Sequence, residues 1–276
     1  MAYRTLLVHV DNRASSQDRL AYAIALAGRE AAELVGLYVV PGTDLAPSTA
    51  AMLGSDAVAR RLERFSEMQH AAEQRFRDAV AAAVVDAQWR APAGPSIETA
   101  IAHARTTDLV VVGQRDPSEP GFGDALVSGV LLSAGRPVLV VPSAGAPASV
   151  ASRVLIAWNG GREAARAVAD ALPLLARAER VCAVGVDESR ETSVDERLAD
   201  TRLRQWLARH DIAIEVEREA VRGVGVGEWL LSRAADLGSD LLVMGGYAHA
   251  RMRELVLGGV TRTMLGAMTI PVLMAH

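Results

Sequence analysis

The sequence predicts an α/β protein made of two tandem, similar halves, each a doubly wound parallel sheet covered by helices on both faces. Three observations predict it. Short, near-continuous apolar runs alternate with helical periods, the pattern of strands buried on both sides. Those runs recur in one order: Leu6-Leu7-Val8-His9-Val10-Asp11 resembles Val154-Leu155-Ile156-Ala157-Trp158-Asn159, Asp108-Leu109-Val110-Val111-Val112-Gly113 matches Asp240-Leu241-Leu242-Val243-Met244-Gly245, and Arg136-Pro137-Val138-Leu139-Val140-Val141 matches Ile270-Pro271-Val272-Leu273-Met274-Ala275. The 276 residues, about twice the commonest domain size, are 50% hydrophobic and 22% charged, a composition that excludes a disordered chain and fills two cores.

Taken in order, the first half opens with the Leu6–Asp11 strand, a helix follows, and Leu34–Val40 reads as the next strand. Val58, Leu62, Phe65, Ala72, Phe76 and Val80 form a helical stripe expected to face the core. A shorter helix at Ile97–Ala104 precedes the Asp108–Gly113 strand, and Val138–Val141 is the last strand of the half. Ser143-Ala144-Gly145-Ala146-Pro147-Ala148-Ser149 is small and polar enough to be a linker, so residues 1–144 and 150–276 are expected to be separate domains. The second half repeats the order. Its helical stripe is Ala165, Val168, Ala169, Leu172 and Leu175, its middle strands are Val181–Val186 and Ile214–Ala220, and a helix covers Glu228–Leu237 before the Asp240–Gly245 and Val272–Ala275 strands. Each half therefore reads β-α-β-α-β-α-β-α-β, whose ligand crevice lies beyond the carboxyl ends of the strands.

Composition removes several function classes. A net charge of −4 and a pI of about 5.9 give no general attraction for nucleic acid or an anionic membrane, so neither is an expected partner. All 29 basic residues are arginine, which leaves no lysine for a Schiff base or a Walker-A loop. The single cysteine, Cys182, cannot form an internal disulfide; it falls in a predicted buried strand and reads as an inert core residue. No secretory signal or membrane-spanning run is evident, and a reducing cytoplasm is the expected location. His9, His70, His103, His210, His249 and His276 are scattered without metal-ligand spacing, so no metal site is expected. Arg60, Arg61, Arg64, Arg75 and Arg77 read as the solvated face of a long helix.

The residues able to carry chemistry lie in the second half. After Val243-Met244 the chain reads Gly245-Gly246-Tyr247-Ala248-His249 and ends the loop at Gly258-Gly259-Val260-Thr261, where a helix begins. Glycine lets backbone approach a ligand closely, and a helix start presents unpaired N–H groups and a positive dipole end to an anion. The same glycines also serve tight turns without any ligand. His249 faces either a phosphate or solvent, and Trp158 either flanks a base or packs. Gly223-Val224-Gly225-Val226-Gly227 lacks the dinucleotide spacing and does not open its half.

The repeat, the strand signatures and this loop resemble the universal stress protein family in its tandem-domain form. The resemblance implies two Rossmann-like domains, each a five-stranded parallel sheet in the order 3-2-1-4-5, packed as a pseudo-dimer, with a homodimer as a further option. Nucleotide-binding members carry Gly-x2-Gly-x9-Gly-(Ser/Thr), which falls here on Gly245, Ala248, Gly258 and Gly259; Ala248 replaces a glycine and Gly259 replaces a hydroxyl. The family's aspartate at the end of the first strand is Asn159 in this half and Asp11 in the other. The implied site thus comprises Ala157, Asn159, Val186, Gly245, Gly246, Ala248, His249, Gly258, Gly259, Val260 and Thr261, with ATP, and magnesium beside it, as the implied ligand and no catalytic residue. In the first half Gly113-Gln114-Arg115-Asp116-Pro117-Ser118-Glu119-Pro120-Gly121-Phe122-Gly123-Asp124 lacks the phosphate pattern, and that half reads as a degenerate copy. Three functions stay open: a stress-response module that binds ATP in its second half, a slow ATPase, and an interaction module without nucleotide.

Overall fold

The computed structural model describes residues 2–40, 52, 54–115, 122–187, 194–247 and 259–276. It divides into two compact units, Tyr3–Arg136 and, in the main, Pro137–His276.

The first unit runs β1 (Thr5–Val10), α1 (Ser15–Glu30), β2 (Glu33–Tyr38), α2 (Ser55–Ala83), β3 (Ala87–Arg90), α3 (Ser96–Ala104), β4 (Leu109–Gly113) and α4 (Phe122–Ser133). Its strands lie in the order β3-β2-β1-β4, all parallel. The second contains β5 (Val138–Val141), β6 (Arg153–Ala157), α5 (Arg162–Asp170), the single turn α6 (Leu172–Leu175), β7 (Arg180–Asp187), α7 (Val194–Ala208), β8 (Glu215–Ala220), α8 (Val226–Asp236), β9 (Leu241–Gly245), α9 (Gly259–Ala267) and β10 (Val272–Ala275). Here the order is β5-β10-β9-β6-β7-β8, parallel except for β5, which pairs antiparallel with β10. The strands after the linker thus show the 3-2-1-4-5 order, while β5, which the repeat equates with β10, belongs to the second compact unit.

The repeated Asp-Leu signature has a structural cause. Asp108 accepts the backbone N–H groups of Arg4 and Thr5 at 2.7 and 3.0 Å, and Asp240 accepts those of Ser152 and Arg153 at 2.9 and 2.8 Å. Each carboxylate satisfies the N–H groups at the start of the unit's central strand and fixes its register beside β4 or β9.

Both helical stripes differ in part from expectation. In α2 only Ala72, Phe76 and Val80 are buried; Leu62 is 55% exposed and Val58 and Phe65 half-buried, because this 29-residue helix passes beyond the sheet it covers. Phe76 reaches the sheet at Gly36, where any Cβ would lie 2.6 Å from its ring. In the second unit the buried positions are Ala164, Ala167 and Val168, with Ala165 and Ala169 exposed, and Pro173 starts a new turn that resets the phase before Leu174 and Leu175. Strand β3, Ala-Gln-Trp-Arg, carries no apolar run; its Trp89 holds it by stacking on Phe76 and Tyr38, with ring centroids 5.3 and 6.0 Å apart. Edge strand β8 alternates Glu215, Glu217 and Glu219, paired to Arg180 and Arg233, charges that discourage edge-to-edge association. Among the described residues no helix is long and apolar enough to cross a membrane.

Candidate functional site

In the second unit the carboxyl ends of β6, β7 and β9 open into a cavity of about 440 Å³. Ala157 and Asn159 lie at the exit of β6, Val184 and Val186 on β7, Met244 and Gly245 at the end of β9, Val226 and Leu230 on α8, and Gly259, Val260 and Thr261 at the start of α9. Ala157 and, on the facing turn of α5, Ala164 are small enough to leave this space open, and Trp158 at the β6 exit forms part of its wall. The walls are chiefly apolar; the polar side chains are Asn159 at the β6 exit and Thr261 on the first turn of α9, whose amides and dipole favour an anion.

Seven of the expected site residues line this cavity: Ala157, Asn159, Val186, Gly245, Gly259, Val260 and Thr261. Ala248, His249 and Gly258 lie outside the described residues. Gly246 stands apart from the lining: its N–H donates to the Ala275 carbonyl at 2.9 Å and its carbonyl faces the His276 ring nitrogen at 3.1 Å, so it anchors β9 to the end of β10. Gly245 is a glycine for packing, since a Cβ would fall 2.7 Å from the backbone of Glu163 and Ala164 in α5. At Gly259 a Cβ would meet open space.

Asn159 closes a turn through its side chain, whose Oδ1 accepts the Gly161 N–H at 2.9 Å. Asn159 lies in the cavity lining, and its side-chain amide also carries two N–H donors. Tyr247 has φ of 61° and donates its N–H to Thr261 Oγ1 at 3.4 Å, so the threonine hydroxyl accepts here and still has its own proton to donate. Sequence reasoning missed the roles of Val184, Val226, Leu230 and Met244, which carried no signal beyond apolarity.

The matching place in the first unit is filled. Asp11 makes the same turn, accepting the Arg13 N–H at 3.0 Å, but its other oxygen pairs with Arg19 at 3.2 Å. Arg19, 3% exposed, also donates to the His9 carbonyl at 2.7 Å and to Ser16 at 3.0 Å. Gly113, the counterpart of Gly245, makes room for the Arg19 guanidinium, onto which any Cβ would fall. His9 Nε2 lies 2.8 Å from the Val39 carbonyl and therefore donates to it, while Phe122 lies 6.2 Å from the imidazole. Burial and the Arg19 charge push His9 down to about 4, so the ring is neutral at physiological pH. Burial raises the Asp11 carboxyl, but Arg19, His9 and the Arg13 N–H outweigh it and hold it below its ordinary value.

A family model for the universal stress protein family matches residues 2–142 and again residues 151–276. The chain belongs to the universal stress protein family. A universal stress protein from Archaeoglobus fulgidus is similar in structure, with a TM-score of 0.73, 18% identity, and coverage of 98% of this chain and 97% of that one. A functionally unknown protein from Pseudomonas aeruginosa has a TM-score of 0.58 at 15% identity, covering 99% of this chain and 92% of its own. These likenesses concern the fold. No curated protein matches the chain. Within this universal stress protein Cys182 is buried, and burial together with Glu217 and Glu215 pushes its thiol up, away from the thiolate a nucleophile needs.

Proposed function

We propose that this protein is a stress-response binding module that takes up ATP in its second half. The observation that supports the reading best is the cavity at the β6, β7 and β9 ends: it is large enough for a nucleoside, aliphatic where a base and ribose would lie, and closed at one end by the α9 start, where phosphates would meet backbone N–H groups and the Thr261 hydroxyl. Asn159 would donate to a base or ribose acceptor. The lining contains no carboxylate, histidine or lysine among the described residues, so magnesium would ride on the phosphates and water. The reading is nucleotide occupancy, with the single free cysteine fitting a cytoplasmic setting.

Gly259→Asp tests it. The new side chain enters open space and suits a helix start, so the fold is retained, while its carboxylate faces the phosphates. Calorimetric titration is expected to show ATP binding in the wild type and none in the variant. Unchanged affinity places the nucleotide elsewhere, and no binding by the wild type turns the reading to the interaction module.

A further inference from the structure

A second cavity, of about 390 Å³, opens on the other side of Trp158, between the β6 exit, α5 and α7. Its walls include two indoles, Trp158 and Trp206, with Val168 and Leu203 as an apolar floor. Trp158 is only 8% exposed, and Trp206 is steadied by an edge contact with His210 at 4.8 Å, so both rings are held in place rather than free to fill the space. Small residues keep it open: Gly160 has φ of 71° and would place a Cβ 3.3 Å from that of Ala199. The comparison with the first unit shows what this omission does. Asn12 stands at the place of Gly160, donates to the Met68 carbonyl of α2 at 2.8 Å and accepts from Tyr38 at 2.8 Å, bridging the gap that the second unit leaves.

One charge lines the cavity, Arg202, which is exposed and makes no hydrogen bond or ion pair among the described residues. Indoles favour a flat ring, the volume suits a small ligand, and a guanidinium without a carboxylate partner among the described residues selects an anion. We propose that this cavity binds a small planar aromatic carboxylate, its ring against Trp158 and Trp206 and its carboxylate on Arg202. The site shares the Trp158 wall with the first cavity but takes its charge and its other walls from different residues, and it stands if the ATP reading fails.

The probe is 1-naphthoate, titrated into the full chain by calorimetry and tryptophan fluorescence, with 1-naphthalenemethanol as its uncharged counterpart. The wild type takes up one naphthoate per chain. Arg202→Met weakens naphthoate about tenfold, the worth of one charge-assisted hydrogen bond, and leaves naphthalenemethanol unchanged. Ala199→Leu, which fills the space before Gly160, abolishes both. Arg202 is exposed, so its variant folds, and a thermal melt verifies this. The proposal is overturned by absence of saturation in the millimolar range, by equal naphthoate affinity in the Arg202 variant, or by displacement of naphthoate with ATP, which would place the probe in the first cavity.

Discussion

The two halves share an architecture but resolve the same crevice in opposite ways. Where the second half has Ala157, Ala164 and Ala167, the first has His9, Ser16 and Arg19, and these three side chains convert an open cavity into a buried hydrogen-bonded cluster around Asp11. The backbone turn is the same in both, closed by Asp11 or Asn159 on the N–H two residues ahead. The acid at the end of the first strand is thus not by itself a mark of ligand binding. In the first half it is committed to a turn and an ion pair, whereas the uncharged amide of the second half stands at an open cavity. What separates the open half from the filled one is the size of the residues around that turn.

The sharpest way to break the comparison is to remove the plug. Arg19→Ala leaves the Asp11 carboxylate buried without its cation and is expected to destabilise the first half by about 3 to 5 kcal/mol, read by urea denaturation. Replacing both members, Arg19→Met with Asp11→Leu, is expected to recover most of that loss, because the cost lies in the uncompensated charge. An Arg19→Ala chain as stable as the wild type would mean the cluster is solvated and the crevice is not closed.

His9 gives the same comparison a pH signature. Its folded value of about 4 lies below the ordinary 6.5, so between these values the unfolded chain holds a proton that the folded chain lacks. Stability is fully present above 6.5 and is lost as pH falls toward 4, by roughly 3 kcal/mol. His9→Gln, which keeps a donor for the Val39 carbonyl, is expected to flatten the denaturation midpoint across this window; an unchanged slope would assign the dependence to other groups. Copying the plug into the second half is the converse. Ala157→His puts an imidazole into the cavity, as His9 does in the first half, and is expected to weaken ATP by roughly a hundredfold, about 2.7 kcal/mol, in a calorimetric titration.

Much of this asymmetry was legible in the sequence, but not its cause. The matched Asp-Leu strands and the order of elements identify two halves, and the sequence after Gly113 lacks the phosphate pattern that the second half keeps in part. The plug was invisible: Arg19 shares the helix face of Ala23, Leu26 and Ala27, but an arginine on that face carries no signal of its own, and the space that accepts it under Gly113 belongs to a strand far along the chain. Gly245 marks the strand end at which the cavity opens, but it is a glycine for close packing against α5. Gly246, as a site residue, rested on the glycine pattern alone, and its hydrogen bonds to β10 and His276 depend on contacts far apart in sequence. The Trp89 strand and the exposed start of α2 escaped for the same reason: apolar periodicity reports what a helix or strand can bury, not whether a sheet lies opposite.

The smallest expected effect concerns Gly259, where a hydroxyl is missing from the first turn of α9. Gly259→Ser adds a donor in open space and is expected to tighten ATP about fivefold, near 1 kcal/mol, measured by the same titration. No change would mean that Thr261 and the backbone amides already saturate the phosphates.

The central claim is that only the second half holds nucleotide, and stoichiometry tests it most directly. Calorimetric titration of the intact chain with ATP is predicted to give one site per chain, lost in Gly259→Asp and retained in Arg19→Ala at a temperature where that variant is folded. Two equivalent sites, or a single site that survives Gly259→Asp, would contradict it.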